Sequence, residues 1–216
     1  TDYQVTLFDC AKVDSSHGIS YMAMSHFLLS LGFLSNWIGM MEFNLMLENK
    51  HDKFLATVKE QNAGKDWYDI RKKMSAVPAL KKAILTFMAE DEYEETRKLI
   101  DERIKTYDAT KLKEDLSLYL EHYQGKKIVF FIDEMSEALS QKKINLLDLE
   151  GLSEALSSLG NRVWTVGIAQ QAFNDVLNAS GLNIHQLNKV EARFKTRIPI
   201  AAEEIDTIIR KRLLAK

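Results

Sequence analysis

The stretch Ile128-Val129-Phe130-Phe131-Ile132-Asp133-Glu134 decides the fold class of this 216-residue chain. Five consecutive apolar residues of high β-propensity are typical of a strand that is covered on both faces, so we expect helices on both sides of it. Asp133 and Glu134 follow directly, and we therefore expect both at the carboxyl edge of a sheet. Open α/β folds bind their ligands at that edge.

The sequence on either side of this stretch predicts more strands and helices. Val163 to Ile168 predicts a second buried strand, and Val5 to Phe8 predicts a short strand that ends near Asp9. After residue 125 we predict helices at 146–159, 184–194 and 203–214 and a short strand at 197–200. Because alternating strands and helices form parallel sheets with helical crossovers, we predict a helix-rich α/β fold with a parallel sheet.

The middle of the chain is charged and helical in pattern. Residues 65–124 predict a helical insertion with a break around Pro78, and Ser35 is placed to cap an earlier helix that carries Trp37. We divide the chain into a second core strand with helices (1–64), the insertion (65–124), a core half (125–202) and the start of a further helix (203–216).

The amino-acid composition limits the binding partners and the cellular location that we expect for this chain. The net charge of −2, from 29 basic and 31 acidic residues, provides no overall positive field, so we expect contact with DNA only indirectly. Cys10 is the single cysteine, which excludes an internal disulfide and a cysteine-rich zinc site and favours a reducing, cytoplasmic location. Residues 15–41 have no charged side chain, but their polar residues favour a buried helix pair over a membrane span, so we expect no membrane partner.

The residues after the two main strands suggest phosphate chemistry. An aspartate in the position of Asp133 can hold Mg²⁺, and the next acid, Glu134, can orient a water for attack on a γ-phosphate. Gln170 follows the next strand, and Arg193 ends a helix from which a guanidinium can reach a neighbouring subunit. A plain strand end for the acids, Gln171 in place of Gln170, and Arg197 in place of Arg193 remain alternatives, as does a magnesium-dependent nuclease.

The order of these segments resembles the second half of an AAA+ ATPase core. Residues 128–134 resemble its Walker B strand, residues 163–170 its sensor-1 strand, and Ala192-Arg193-Phe194 its arginine-finger region. Glu203 to Arg212 resembles the first lid helix, and Val5 to Phe8 the second core strand. Four sequence segments are most similar to the large P-loop ATPases of bacterial BREX phage-defence systems, the BrxC/PglY type. These segments are DEMSEAL, GNRVWTVGIAQQAF, KVEARFKTRIPI and IIRKRLL.

The resemblance implies ATP and Mg²⁺ as cofactors of a parent chain. It implies Glu134, Gln170 and Arg193 as catalytic residues, Asp133 as the residue that holds Mg²⁺ through water, and Asp133 and Arg212 as cofactor-binding residues. The partners implied are further copies of the chain, as a homo-oligomer or swapped dimer, and other defence-system proteins.

One departure from the family is large. No G-x-x-x-x-G-K-[ST] loop occurs in the sequence, so nothing cradles the β- and γ-phosphates. We therefore expect an internal fragment of a longer P-loop NTPase-like ATPase, incomplete at both ends and with no nucleotide bound to it. A degenerate ATPase fold that serves as a binding or oligomerisation module is the alternative. Because the family's first strand is missing, we expect a swapped pairing in a dimer or a narrower sheet in which Arg197 to Ile200 is loosely held.

Overall fold

A parallel three-stranded sheet forms the centre of the molecule. The computed structural model describes residues 2–12 and 17–168, with Ala192, Thr196 and Ile198 as single positions. Strands β1 (Asp2–Asp9), β2 (Lys126–Asp133) and β3 (Val163–Gly167) lie in the order β1-β2-β3. Asp9 pairs in register with Asp133, and Ile132 pairs with Gly167. The predicted α/β class and the parallel sheet are confirmed.

Helices make up most of the described residues. They are α1 (Gly18–Ser30), α2 (Trp37–Leu47), α3 (His51–Gln61), α4 (Trp67–Ile70), α5 (Ala76–Ile84), α6 (Glu90–Lys105), α7 (Ala109–His122), α8 (Met135–Ser140) and α9 (Leu146–Ser158). Short 3₁₀ turns follow β1 and precede β3, at Cys10–Lys12 and Gly160–Arg162. Helices α4 to α7 fill the predicted insertion, whose boundaries as a domain remain a prediction.

One face of the sheet is covered and the other is open in the described part of the chain. Phe8 and Phe130 are buried on the covered face, where the ring of Phe27 from α1 lies 6.2 Å from that of Phe130. On the opposite face Leu7 is 61% exposed and Trp164 is 57% exposed. The prediction that both main strands are covered on both faces is therefore wrong for the described residues.

The path of the chain explains this one-sided packing. The connection from β1 to β2 and the connection from β2 to β3 both move across the sheet in the same direction. Since crossovers between parallel strands are right-handed, two connections in one direction place their helices on the same face. Helix α1 packs on β1 and α9 packs on β3 accordingly.

The predicted pair of buried helices is found as α1, which lies within the uncharged segment 15–41, and α2, which begins in it. Gly32 ends α1 with a φ of 84°, and the N–H groups of Gly32 and Phe33 return to the carbonyls of Leu29 and Leu28. The N-cap of α2 is Asn36 and not Ser35 as predicted, because the Asn36 side chain accepts the Ile38 N–H at 3.0 Å. Among the described residues, no helix has both the length and the apolar character needed to cross a membrane.

Pro78 does not break the helical insertion. It lies in the first turn of α5, where backbone N–H groups have no intrahelical partner and proline therefore removes no hydrogen bond. The predicted break around Pro78 is found at residues 71–75, between α4 and α5, but the proline itself lies inside α5.

The sequence predicts a strand at 197–200, and the structure describes one apolar residue of this range, Ile198. That residue is not in a strand. It is 81% exposed and is not in a helix either. Within the described residues, β3 pairs with β2 and with no other strand. Of the two outcomes that we expected, this corresponds to a sheet of reduced width and not to a swapped pairing.

A buried carboxylate connects the first helices of the molecule. Glu42 in α2 is fully buried, and its Oε1 accepts the indole N–H of Trp67 at 2.8 Å. The same oxygen lies 3.4 Å from Nε2 of His51 and 3.8 Å from Nη1 of Arg71. Because a buried charge requires polar partners, this cluster fixes α2 against α3 and α4.

Candidate functional site at the carboxyl edge of the sheet

Asp133 and Glu134 lie at the carboxyl edge of the sheet, beside the end of β3. Asp133 is the last residue of β2, is half-buried, and accepts the backbone N–H of Glu134 on Oδ1 at 2.9 Å. The Ile168 N–H donates to the Ile132 carbonyl at 2.8 Å, and the Met135 N–H donates to the Ile168 carbonyl at 3.4 Å. These two hydrogen bonds hold the backbone of the acidic pair next to the chain that leaves β3.

Glu134 has an unusual backbone conformation. Its φ of 55° and ψ of 32° are left-handed, and it is the residue that precedes the first turn of α8. A residue other than glycine in this left-handed region destabilises the folded state by about 1–3 kcal/mol. Such strain persists where the surrounding structure imposes it, often at active sites. Here it turns the chain from strand to helix within one residue and keeps Glu134 at the sheet edge.

A third carboxylate lies beside the acidic pair and was not among the predicted site residues. Asp9 ends β1 in register with Asp133, accepts the Ala11 N–H at 2.9 Å, and forms an ion pair with Lys12 at 3.0 Å. The hydrogen bond from Lys12 holds the pKa of Asp9 below its usual value. The predicted strand end near Asp9 contained the signal, because the carboxyl ends of neighbouring parallel strands meet at one edge.

Two lysines add positive charge to this edge, and sequence reasoning missed both. Lys12 pairs with Asp9, which raises the pKa of the lysine. Lys143, in the segment between α8 and α9, donates a hydrogen bond to the Ala11 carbonyl. Neither residue has a sequence signal that separates it from a solvated surface lysine, since only the fold brings residues 12 and 143 together.

Cys10, the residue after Asp9 at the end of β1, is fully buried. Burial raises the pKa of its thiol to about 12, with further contributions from the negative charges of Asp9 and Asp133. The thiolate is the nucleophilic form of cysteine, so this side chain is inert at neutral pH.

The remaining predicted site residues lie outside the described residues. Gln170, Arg193 and Arg212 fall in this group, together with the alternatives Gln171 and Arg197. The structure therefore brings together Asp133 and Glu134 and gives no position for the other three.

The two acids suit Mg²⁺ that is shared with a phosphate rather than held in a protein cage. In the described ranges there is no group of three or more histidine, cysteine or acidic side chains arranged to hold a metal ion. Mg²⁺ is commonly bound through one or two carboxylates, several waters and substrate phosphates. The oxygen donors of Asp133 and Glu134 fit that mode of binding.

Comparison with known proteins adds no family. No protein-family model matches the chain, and no solved structure matches it. A functional assignment therefore depends on the residues and the geometry described above.

Proposed function

We propose that this chain is the Walker B, sensor-1 and arginine-finger half of an AAA+-type ATPase, related to the ATPases of bacterial BREX phage defence. One observation carries the proposal. An acidic pair ends a central parallel strand, lies at the carboxyl edge of the sheet, and is hydrogen-bonded through its backbone neighbours to the chain that leaves the next strand. This is the part of an open α/β sheet where ligands bind.

Each residue of the proposed site has a distinct role. Asp133 would hold Mg²⁺ through water, and Glu134 would orient the water that attacks the γ-phosphate of ATP. Gln170 would contact the phosphate or that water. Arg193 would neutralise charge in the site of a neighbouring copy, and Arg212 would face the nucleotide from the lid.

ATP binding requires a phosphate cradle that the 216 residues do not contain. The backbone N–H groups and the lysine of a glycine-rich loop hold the β- and γ-phosphates in P-loop enzymes. We propose that residues encoded before Thr1 supply this loop in a cytoplasmic parent protein that remodels partner molecules. We expect no ATPase activity from the 216-residue chain alone.

The decisive variant is Glu134→Gln, made in a polypeptide that includes the residues encoded before Thr1. We expect this variant to bind ATP normally and to hydrolyse it about 10²- to 10⁴-fold more slowly, because the amide cannot accept a proton from water. Binding is measured with a fluorescent ATP analogue and hydrolysis by phosphate release.

Glu137→Gln is the matched control for this experiment. Glu137 lies one turn further along α8 and is exposed, with its carboxylate bonded to the side chain of Gln141. We expect normal turnover from this variant. Normal turnover from Glu134→Gln would disprove the assigned role.

A second candidate function is a protein-binding module built on a degenerate ATPase fold. The exposed side chains of Leu99 in α6 and Leu118 in α7 favour it, because they place apolar surface on the outside of the helical insertion. This alternative predicts that ATP analogues with Mg²⁺ leave the melting temperature of the longer polypeptide unchanged. The ATPase proposal predicts a rise in that temperature.

A further inference from the structure

The short helix α8 starts directly after Glu134, so the contacts that hold α8 also determine where Glu134 lies. This helix has six residues, and isolated helices shorter than about 12–15 residues are not stable in water, so its position depends on the rest of the chain. We infer that Lys143 is a positioning residue for Glu134, because its ammonium group ties the far end of α8 to the turn that follows β1. The inference rests on the catalytic role that we propose for Glu134.

The start of α8 is fixed by the chain that leaves β3. Met135 is fully buried, and its N–H donates to the Ile168 carbonyl at 3.4 Å. Glu134 is left-handed, and a residue other than glycine keeps this conformation where its surroundings impose it. A hydrogen bond at one end of a helix leaves the helix free to pivot about that end. A second point of attachment is therefore needed to fix α8 and with it Glu134.

The far end of α8 reverses the direction of the chain. Lys142 is left-handed with a φ of 55°, and its N–H donates to the Leu139 carbonyl at 3.0 Å. The next N–H, that of Lys143, donates to the Ala138 carbonyl at 3.0 Å. These two hydrogen bonds form a Schellman motif, which ends the helix. The reversal brings Lys143 beside the 3₁₀ turn Cys10–Lys12, against which α8 packs.

One side-chain hydrogen bond attaches this end of α8 to the 3₁₀ turn. Nζ of Lys143 donates to the Ala11 carbonyl, and the Ala11 N–H donates to Oδ1 of Asp9 at 2.9 Å. Cys10, in the same turn, is fully buried and anchors the turn in the core. An ammonium group forms a stronger hydrogen bond than a neutral donor, and the negative charge of Asp9 attracts it further. A lysine therefore suits this position.

The two attachments together give α8 one position relative to the sheet. When the bond from Lys143 is lost, the helix pivots about Met135 and the strained backbone of Glu134 relaxes. A displacement of about 1 Å at a reacting group can lower the rate about 10²-fold. Lys143 thus acts on hydrolysis through Glu134 and not through contact with the nucleotide.

Amide hydrogen exchange in the 216-residue chain tests the attachment without nucleotide. The variant is Lys143→Met, and the matched control is Lys142→Met, because the ammonium group of this neighbouring exposed lysine has no hydrogen bond or ion pair within the described part of the chain. We expect the amides of residues 134–139 to exchange about tenfold faster in Lys143→Met, since α8 opens more easily. Lys143→Arg should restore the original rates, because a guanidinium can donate to the same carbonyl.

ATP turnover provides the second readout, in the polypeptide that includes the residues encoded before Thr1. We expect Lys143→Met to lower kcat about tenfold or more and to leave the affinity for a fluorescent ATP analogue unchanged. Lys143→Arg should retain most of the activity, and Lys142→Met all of it. A general loss of stability would not separate kcat from binding in this way.

The outcomes of the two experiments are distinguishable. Equal exchange rates in Lys143→Met and Lys142→Met would overturn the inference, because they would show that the lysine does not hold α8. Faster exchange together with a normal kcat would overturn it as well, since Glu134 would then keep its place without the attachment. If the original longer polypeptide does not hydrolyse ATP, the proposed function fails, and the exchange rates alone decide whether Lys143 holds α8.

Discussion

Gly39 occupies a position in α2 that no residue with a side chain can fill without moving the backbone. A Cβ at this position would lie 1.7 Å from the carbonyl oxygen of Leu34. Because the obstacle is backbone rather than a flexible side chain, the start of α2 and the turn before it would have to separate. Close contact of this kind explains a glycine inside a helix, where glycine is otherwise unfavourable.

We predict that Gly39→Ala lowers the free energy of unfolding by about 3 kcal/mol or more, since overpacking against rigid backbone has no cheap relaxation. Urea denaturation measures this change. Gly125→Ala is the control, because Gly125 has open space around its Cα and an ordinary φ. We expect that control to stay within about 0.5 kcal/mol of the original protein. A similar loss in both variants would refute the steric explanation.

At the same scale, the acidic pair shows what single residues reveal before a structure is known. Asp133 and Glu134 were identifiable because they follow a strongly apolar strand, and the structure places them at the expected sheet edge. Asp9 lies just as close to that edge, but its relation to Asp133 depends on the pairing of strands that are far apart in sequence. The left-handed backbone of Glu134 has no sequence signal, since non-glycine residues adopt it only under constraint from their surroundings.

Among the secondary-structure elements, the start of α2 offers a direct test of helix capping. The Asn36 side chain accepts the Ile38 N–H, whereas Ser35 is exposed and is not the N-cap residue. We predict that Asn36→Ala lowers the free energy of unfolding by about 1 kcal/mol, because a helix N–H group loses its partner. Ser35→Ala should change it by less than about 0.5 kcal/mol. Thermal or urea denaturation distinguishes the two, and the reverse order would restore Ser35 as the cap.

Helices and strands with strong local sequence patterns were predictable, whereas the way they pack against the rest of the chain was not. The helix pair in residues 15–41 was expected because that segment has no charged residue, and the strand at 128–132 was expected from its apolar run. The same apolar runs led us to predict that both faces of β2 and β3 are buried, which is wrong for the described residues. Burial of a strand depends on the face of the sheet on which the crossover helices lie, and the apolar runs do not encode it. The break near Pro78 was predictable, but the side of the proline on which it lies was not, because a proline that begins a helix and one that ends a helix look the same in sequence.

At the scale of the whole molecule, buried groups that must stay neutral limit stability at high pH. The pKa of Cys10 rises from 9.0 to about 12 on burial, and the pKa of Tyr119 rises to about 12 for the same reason. A group with a raised folded-state pKa contributes its full stability below its unfolded pKa and loses it as the pH rises through the folded value. The free energy of unfolding should therefore fall from about pH 9 upward.

We predict that Cys10→Ala reduces this decline. Between pH 9 and pH 12 the wild-type thiol contributes a slope approaching about 1.4 kcal/mol per pH unit, which alanine cannot contribute. The measurement is urea denaturation at pH 7, 8, 9 and 10, comparing slopes rather than absolute values, since the substitution also removes a buried sulfur atom. Slopes should agree between pH 7 and 8. Equal slopes above pH 9 would show that Cys10 does not titrate as its burial requires.

The pairing of β1 with β2 has a consequence for synthesis on the ribosome. Residues 10–125 lie between the two strands, so β1 leaves the ribosome long before its neighbour exists. At about 5–20 residues per second, this interval lasts about 6–23 s. During that time the nascent chain displays Val5, Leu7 and Phe8 without a sheet to join, while helices α1 to α7 between the two strands can already pack against one another. The exposed apolar side chains of β1 therefore need protection in the growing polypeptide until β2 emerges.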